Sequence, residues 1–356
     1  MTKARRLFSC GFFLLCFIFS GSATPSSAQT QTLDSYLKER FASIPGAAVS
    51  VIYRGEIVFE GGYGFADAEK KTLIDSNTRF ELASVTKQIT AMAVMMEKEA
   101  GRFQYDSPVT EFFPEFRGFA QGVTIRNLLQ HTAGFPDYSE LCGGPGPARN
   151  SDIVNLMVKK ARLDFPPGSR HSYSNTGYDL LAVLIERTSG LSYPDFVEQK
   201  IFMPLGMKET FVNRWGIPQK TNMARSYNNS STPAESPDVV NCNTIYGDGS
   251  VFSTAHDMAL WNLYLEKNTV AGTAASMDDA YQPVKTTGGQ TSPYGFGWRL
   301  APLSGMKQYS HTGAWGGYRT LNARLPEKQF AVIVLTNAPR ADLNAVVNKA
   351  IEAYLP

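Results

Sequence analysis

Residues 84–101 read SVTKQITAMAVMMEKEAG, and this stretch decides where the main helix of the chain begins. Its apolar side chains recur at the spacing of one helical face, at Val85, Ile89, Met92, Ala93 and Met96. Gly101 then predicts the end of the helix. Ser84 and Lys87 are three residues apart, so they share a face at its start. The stretch therefore predicts an amphipathic helix that opens with a hydroxyl beside an amine.

Strand patterns occupy the two ends of the chain and are scarce between them. Two runs flank the Arg54-Gly55 turn and predict a hairpin, and three more come near the end of the chain. The predicted strands are Ala47–Tyr53, Glu56–Tyr63, Tyr294–Leu300, Tyr318–Leu325 and Phe330–Thr336. The other predicted helices are Leu33–Phe41, Ile125–His131, Ile153–Ala161, Gly177–Thr188, Thr254–Glu266 and Ala341–Ala353.

This distribution predicts an α/β (α+β) fold in which strands that are distant in sequence share one sheet. Short turns marked by glycine or by charge favour antiparallel pairing. The prediction is a single domain over residues 29–356, with a sheet lobe of about 29–83 and 286–356 and an inserted, mainly helical lobe of about 84–285. A cleft between the lobes is where we expect the chemistry.

The first 28 residues have the plan of a signal peptide. Lys3, Arg5 and Arg6 precede an apolar run, and Ser26 and Ala28 are small residues at the spacing that a signal peptidase reads. Their removal takes away three of the 34 basic residues and none of the 32 acidic ones, which leaves a net charge of −1. We therefore expect an exported protein, periplasmic or secreted, without a membrane span after cleavage and without affinity for nucleic acid.

Cysteines and histidines give little sign of a metal site. Cys10 and Cys16 lie in the predicted signal peptide, so only Cys142 and Cys242 remain, either as a disulfide in an oxidising compartment or as two separate thiols. The four histidines show no metal-ligand spacing. We expect no metal and no cofactor, and the oligomeric state is open. His256 lies in a predicted capping box, Thr254 to Asp257, and receives no catalytic role.

A Ser-x-x-Lys motif carries little information alone, because it occurs at Ser35, Ser84 and Ser304. Only Ser84 starts a long amphipathic helix that follows a predicted hairpin. A serine hydroxyl attacks a carbonyl once a base takes its proton, and a buried lysine can be that base. The helix N-terminus also leaves the Ser84 N–H free to bind an oxyanion. Without partners, a capping serine beside a solvated lysine would be the better explanation of the motif.

Tyr173-Ser174-Asn175 is the second candidate element, on a loop between Phe165-Pro166-Pro167-Gly168 and a predicted helix. A tyrosine beside a lysine ammonium loses its proton more readily than an isolated one. Tyr173 is therefore a candidate base or proton relay with Lys87, and Asn175 a candidate substrate ligand. The alternative is an aromatic anchor followed by a helix-capping asparagine.

His311-Thr312-Gly313-Ala314 is the third element, placed at the end of a strand. Gly313 would let a substrate backbone approach closely, and the Ala314 N–H would be the second oxyanion donor. His311 is a candidate ligand for a substrate carboxylate or a modulator of Tyr173, or else a strand histidine bonded within the core. Thr312 and Trp315 complete the candidate substrate contacts.

In order and spacing, Ser84-Val85-Thr86-Lys87, Tyr173-Ser174-Asn175 and His311-Thr312-Gly313 resemble the three motifs of the serine beta-lactamase and D-Ala-D-Ala peptidase superfamily. The branch that the chain is most similar to is the class C beta-lactamase-related serine hydrolases, which include esterases and D-aminopeptidases. The resemblance extends to residues 125–134, 165–168 and 246–254. It implies an acyl-enzyme on Ser84, with Lys87 and Tyr173 moving the proton.

The third motif departs from the Lys-Thr-Gly of class C beta-lactamases, because His311 replaces the lysine. The resemblance therefore implies an esterase or a D-amino-acid peptidase, acting on small esters, amides or peptides, with a weak beta-lactamase as the alternative. A second possible class of protein is a non-catalytic penicillin-binding module. A third is an α/β-hydrolase, but the chain lacks the Gly-x-Ser-x-Gly motif of that class.

Overall fold

A computed structural model of the chain describes residues 27–42, 45–144, 146–214, 221–227, 242–267 and 274–355. All but the last two residues of the predicted signal peptide, Ser27 and Ala28, lie outside these ranges. Among the described residues, no helix is long and apolar enough to cross a membrane.

The strands confirm that the two ends of the chain share one sheet. They are β1 (Ala47–Tyr53), β2 (Glu56–Tyr63), β3 (Phe65–Asp67), β4 (Thr72–Leu73), β5 (Phe80–Glu81), β6 (Phe211–Val212), β7 (Val251–Ser253), β8 (Val284–Lys285), β9 (Thr291–Ser292), β10 (Tyr309–Trp315), β11 (Tyr318–Leu325) and β12 (Phe330–Thr336). The main sheet has the order β10-β11-β12-β1-β2, and every neighbouring pair in it is antiparallel. The predicted class is therefore confirmed.

The helices lie mostly between the two sets of strands. They are α1 (Ser27–Arg40), α2 (Thr86–Glu99), α3 (Val109–Phe112), α4 (Ile125–Leu129), α5 (Asn150–Lys160), α6 (Asn175–Ser189), α7 (Tyr193–Val197), α8 (Met203–Leu205), α9 (Ala255–Lys267), α10 (Ala274–Ala280) and α11 (Leu343–Tyr354). Two apolar clusters sandwich the sheet. One joins it to α1 and α11, and the larger one joins its other face to α9, α2 and the helices beyond.

The hairpin of β1 and β2 has the bounds that the sequence predicts. Arg54 and Gly55 both adopt positive φ, 52° and 79°, which a two-residue turn needs to follow the twist of its strands. The predicted bounds of β11 and β12 also match the structure.

The predicted strand Tyr294–Leu300 is wrong. Only an isolated bridge joins Tyr294 to Arg299, because the two glycines between them close a turn in which the Gly295 N–H donates to the Trp298 carbonyl at 2.8 Å. Gly297 has φ 76° and packs against the Lys87 carbonyl, where a Cβ would lie 2.7 Å from the oxygen. The segment is a tight turn that supports Lys87.

A disulfide joins Cys142 to Cys242, with 5.2 Å between their Cα atoms, so of the two open alternatives the structure has the bonded one. The bond closes a loop with a sequence separation of 100 residues. Cys242 also lines the pocket that contains Ser84. The bond therefore ties the rim of that pocket to the helical part of the chain.

We expect the Cys142→Ser/Cys242→Ser double variant to lose about 2–5 kcal/mol of unfolding free energy, because the bond removes loop-closure entropy from the unfolded chain. Urea denaturation with and without reductant measures this loss. Reductant should shift the wild-type midpoint to that of the variant. Equal midpoints for all samples would contradict the expectation.

Candidate active site

Ser84 lies in a 3₁₀ turn, Ala83–Val85, which leads directly into α2. The helix therefore begins at the predicted place, although its first turn is tighter than an α-helical one. Ala83 adopts a positive φ of 46°, a strained conformation for a residue with a Cβ. The Thr320 hydroxyl of β11 holds the turn in place by donating to the Leu82 carbonyl at 2.7 Å. Ser84 is thereby fixed against the edge of the main sheet, partly exposed to a pocket.

Lys87 is fully buried one turn further along, and its Nζ contacts three oxygens. Nζ lies 2.8 Å from Asn175 Oδ1, 3.1 Å from the Asp248 carbonyl oxygen and 3.3 Å from Ser84 Oγ. The first two oxygens can only accept hydrogen bonds, whereas the serine hydroxyl can also donate one. A neutral amine would use its two N–H groups on the obligate acceptors and would aim its lone pair at Ser84. The arrangement suits a lysine that takes the Ser84 proton and, as an ammonium, keeps all three contacts.

Tyr173 meets Lys87 through its ring. The ammonium lies 5.0 Å from the ring centroid, and the side chain is 39% exposed at the pocket mouth. No hydrogen bond of the described residues uses the Tyr173 hydroxyl, so the direct relay to Lys87 expected from sequence is not formed in this structure. The hydroxyl remains available to a substrate group.

Asn175 begins α6 and has a different contact from the one expected. Its Oδ1 accepts from Lys87, so half of its amide is already engaged and orients the amine. The Asn175 side chain also lines the Ser84 pocket. Its Nδ2 group is the part left to face a substrate.

Ala314 lies on the free edge of the main sheet, because β10 is an edge strand. Trp315 and Tyr318 flank the two-residue turn between β10 and β11 and pair with each other. In an antiparallel pair, the backbone N–H groups of successive residues point alternately towards and away from the neighbouring strand. The Ala314 N–H therefore points away from β11, on the side where the pocket holds Ser84 and Ala314 together. This placement suits an oxyanion donor.

Gly313 is needed for packing within the protein and not for the predicted close approach of a substrate backbone. A Cβ here would overlap the Leu82 carbonyl oxygen and the Thr320 hydroxyl, and would lie 3.1 Å from the Ala83 Cβ. The glycine lets the Ser84 turn pack against β10. Thr312, next to it, is exposed.

His311 is not placed to bind a substrate carboxylate, and this expectation needs correction. It is the third residue of the seven-residue β10 rather than the end of a strand, and it is 1% exposed. Its Nδ1 donates to the Thr312 carbonyl at 2.8 Å, and its Nε2 accepts from the Tyr294 hydroxyl at 2.9 Å. Burial, followed by the charge of Lys87, lowers the pKa of His311 to about 3. It is a neutral core histidine whose ring lies 6.1 Å from that of Tyr173.

Acid should destabilise the fold through His311, because the unfolded chain takes up a proton near the ordinary pKa of 6.5 and the folded chain only near 3. The stabilisation is complete above pH 6.5 and is lost as pH falls towards 3, by up to about 1.4 kcal/mol per pH unit. His311→Asn keeps a donor for Thr312 and cannot ionise. We expect its unfolding free energy, measured in urea from pH 4 to 7, to fall less steeply with acid than that of the wild type. Parallel curves would contradict the assignment.

Trp315 lines the pocket beside Ala314, as expected of a substrate contact. Its Nε1 donates to Asn243 Oδ1, which orients the indole. Tyr318 follows the turn as the first residue of β11. It is buried, and its hydroxyl donates to the Ala224 carbonyl at 2.6 Å. One aromatic of the Trp315–Tyr318 segment faces the pocket and the other packs in the core.

Three buried acids near Lys87 were missed from the sequence. Asp179 of α6 accepts from the Asp248 N–H at 3.2 Å and so helps to fix the residue whose carbonyl contacts Lys87. Burial and the neighbouring Asp248 raise the pKa of Asp179 well above its ordinary value. Burial raises the pKa of Glu81, on the pocket wall, to about 8. Asp248 lies in a Gly-Asp-Gly stretch, which is the one local signal that a constrained loop carries an acid there.

His131 was also missed. It adopts a positive φ of 56°, and its Nδ1 accepts from the Ser174 N–H at 3.2 Å. Its ring lies 4.3 Å from that of Tyr173. Burial, with the nearby charge of Lys87, lowers the pKa of His131 well below its ordinary value, so the ring is neutral. His131 therefore positions the loop that presents Tyr173.

Comparison with known proteins identifies relatives of this arrangement. The beta-lactamase family profile matches residues 33–354. Penicillin-binding protein 4* of Bacillus subtilis is 36% identical over 320 residues, which cover 85% of this chain and 70% of that protein. A D-aminopeptidase of Cereibacter sphaeroides is 26% identical over 322 residues, which cover 87% of this chain but only 60% of the aminopeptidase.

A solved structure has the same fold. The octameric penicillin-binding protein homologue from Pyrococcus abyssi superposes with a TM-score of 0.77 at 27% identity. The match covers 91% of this chain and 76% of the other.

Proposed function

The chain is a serine hydrolase of the beta-lactamase family, and from that premise we propose that it forms an acyl-enzyme on Ser84 and acts as an exported esterase or D-amino-acid peptidase. The observation that carries the proposal is the contact of the buried Lys87 amine with Ser84 Oγ at 3.3 Å, with its other two contacts on obligate acceptors. Such a serine and base are the two groups that acyl transfer needs.

The mechanism follows from these positions. Lys87 takes the Ser84 proton as Oγ attacks the substrate carbonyl carbon. The N–H groups of Ser84 and Ala314 hold the oxyanion of the tetrahedral intermediate. The leaving amine or alcohol then takes a proton from Lys87 Nζ, and Tyr173 acts as the relay at the pocket mouth once a bound substrate group connects its hydroxyl to Lys87. A water molecule adds to the acyl-enzyme by the same path and releases the acid.

Neutral esters and amides suit the pocket better than carboxylate-bearing substrates do. His311, which stands where a cationic lysine would bind a carboxylate in class C beta-lactamases, is neutral and buried. None of the described residues that line this pocket is a lysine or an arginine. Penicillin-binding and D-aminopeptidase relatives support peptide or amide substrates. Weak beta-lactamase activity is the alternative, because it would use the same acylation.

Export is part of the proposal. Residues 1–28 have the sequence plan of a signal peptide, and the Cys142–Cys242 disulfide is typical of an oxidising compartment. N-terminal sequencing of protein from the periplasm or medium of an expressing bacterium tests it. We expect a mature terminus near residue 29, and an uncut chain confined to the cytoplasm would contradict it.

Steady-state kinetics with matched chromogenic substrates test the activity. We expect higher kcat/KM on a short p-nitrophenyl ester and on D-alanyl p-nitroanilide than on a chromogenic cephalosporin. A preference for the cephalosporin would replace the proposal with the beta-lactamase alternative. Turnover of none of the three would favour a non-catalytic penicillin-binding module.

Tyr173→Phe should lower kcat on the amide by about 10²-fold or more, because it removes the hydroxyl that passes a proton to a poor leaving group. The loss should be smaller on the p-nitrophenyl ester, whose leaving group departs without protonation. Tyr53→Phe, in the β1–β2 hairpin, is the matched control. Equal small losses for Tyr173→Phe on both substrates would reject the relay.

A further inference from the structure

A second cavity lies at the other end of the β10–β11 hairpin, away from Ser84. It has a volume of about 230 Å³ and lies between the main sheet and the helices α9 and α10. The side chains that define it are Asn262, Glu266, Met277, Tyr281, Tyr309 and Arg324. Tyr309 precedes Ala314 by five residues on β10, a distance of about 16 Å along the strand. None of these residues takes part in the chemistry proposed for Ser84.

Arg324 brings into this cavity a cation that makes no ion pair among the described residues. The residue is only 7% exposed, and its one hydrogen bond among the described residues runs from Nη1 to the Tyr281 hydroxyl at 3.0 Å. No carboxylate of the described residues lies within ion-pair distance of it. A guanidinium has five N–H donors in a planar fork that matches a carboxylate. Most of those donors have no acceptor among the residues that the structure describes.

The opposite wall of the cavity offers acceptors instead of donors. Asn262 is 1% exposed; its Nδ2 donates to the Met258 carbonyl at 2.8 Å, but its buried Oδ1 has no partner. Glu266 is half-buried one turn further along α9. Burial raises the pKa of its carboxyl group, and the charge of Arg324 opposes this shift only in part. Glu266 makes no ion pair among the described residues, so its carboxyl group can accept from an N–H donor of a ligand.

The rest of the cavity lining contains two stacked aromatic rings and apolar side chains, together with the polar side chains of Asp278 and Gln329. The rings of Tyr281 and Tyr309 stack with their centroids 3.9 Å apart, and Tyr309 is the cross-strand partner of Arg324. Met277 and the aliphatic part of α9 face these rings across the cavity. An aliphatic side chain of moderate size would bury its surface here.

We propose that this cavity binds a free α-amino acid with an aliphatic side chain. Its carboxylate would pair with the Arg324 guanidinium, and its ammonium would donate to the Glu266 carboxylate. A simple anion would satisfy Arg324 but would be repelled by Glu266. A simple amine would lack a partner for Arg324. The proposal does not depend on which substrate Ser84 hydrolyses.

Isothermal titration of the full chain with leucine, as each enantiomer, tests the proposal. The matched probes are 4-methylpentanoate, which lacks the amine, and isopentylamine, which lacks the carboxylate. We expect at least one leucine enantiomer to bind at least tenfold more tightly than either probe. Failure of both enantiomers to bind, or equal binding of 4-methylpentanoate, would overturn the assignment.

Four variants locate the binding. Arg324→Gln should weaken leucine binding at least tenfold, and Arg340→Gln, at an exposed arginine, should not change it. Glu266→Gln keeps Arg324 in place but removes the carboxylate that would bind the ligand ammonium. It should therefore abolish the preference for leucine over 4-methylpentanoate. Asn175→Ala, in the Ser84 pocket, should leave leucine binding unchanged. Loss of binding in Asn175→Ala with retention in Glu266→Gln would place leucine at Ser84 and overturn the proposal.

Discussion

Replacement of Ser84 by alanine is expected to reduce ester and amide hydrolysis by at least about 10⁴-fold, to the background of the assay. The reason is that the substitution removes the attacking oxygen and leaves the N–H groups that bind the oxyanion. The fold should be retained, because Ser84 Oγ makes only the 3.3 Å contact with Lys87 and the turn around it is held by backbone and by Thr320. Single-turnover kinetics with a p-nitrophenyl ester measure the effect directly.

The chain supplies its own control for this variant. Ser35 and Lys38 form the same Ser-x-x-Lys spacing on α1, where Ser35 is exposed and Lys38 pairs with Asp34 at 2.6 Å. Ser35→Ala should leave the rate unchanged. If Ser84→Ala retains more than a small fraction of the wild-type acylation rate, another residue is the nucleophile.

Replacement of Lys87 by alanine is expected to lower kcat/KM by about 10³-fold or more, because it removes the only amine that contacts Ser84 Oγ among the described residues. It should also lower the unfolding free energy, because the buried Asn175 Oδ1 and Asp248 carbonyl lose their donor, at about 1–3 kcal/mol for each unsatisfied group. Kinetics together with urea denaturation separate the two losses.

The losses from Lys87→Ala and Ser84→Ala should not add, because both residues act in one proton transfer. A double variant no slower than Ser84→Ala alone is the expected result. Lys38→Ala, on α1, is the control and should change neither rate nor stability appreciably. Additive losses would show that Lys87 acts on stability and not on the serine.

Much of the fold could be predicted because its pattern is local. The β1–β2 hairpin, β11 and β12 have clear apolar runs and turn residues, and the apolar face of α2 is visible in sequence. Tyr294–Leu300 has the same alternation but forms a turn, because Gly295 and Gly297 let the chain pass close to the Ala280 and Lys87 carbonyls. Close approach to a distant backbone is a tertiary property that the segment alone does not reveal.

The motifs of the site could be read from the sequence, but the hydrogen bonds among their residues could not. Ser84, Lys87 and Asn175 are in contact, and Ala314 lines the same pocket. The role expected of His311 was wrong because its two bonds, to Thr312 and to Tyr294, come from its own strand and from the mispredicted turn.

The acids near Lys87 were missed for a related reason. Asp179 lies on a buried helix face, and its contact with Asp248 spans 69 residues. No local periodicity reports a pairing of that kind.

Intact-mass spectrometry after exposure to a fluorophosphonate shows whether Ser84 is the nucleophile. The wild-type protein and Ser84→Ala are treated side by side, and peptide mapping then locates the adduct. We predict one added phosphonyl group on the wild type, on the peptide that contains Ser84, and none on Ser84→Ala. An adduct of equal extent on both proteins, or a wild-type adduct on another peptide, would contradict the account.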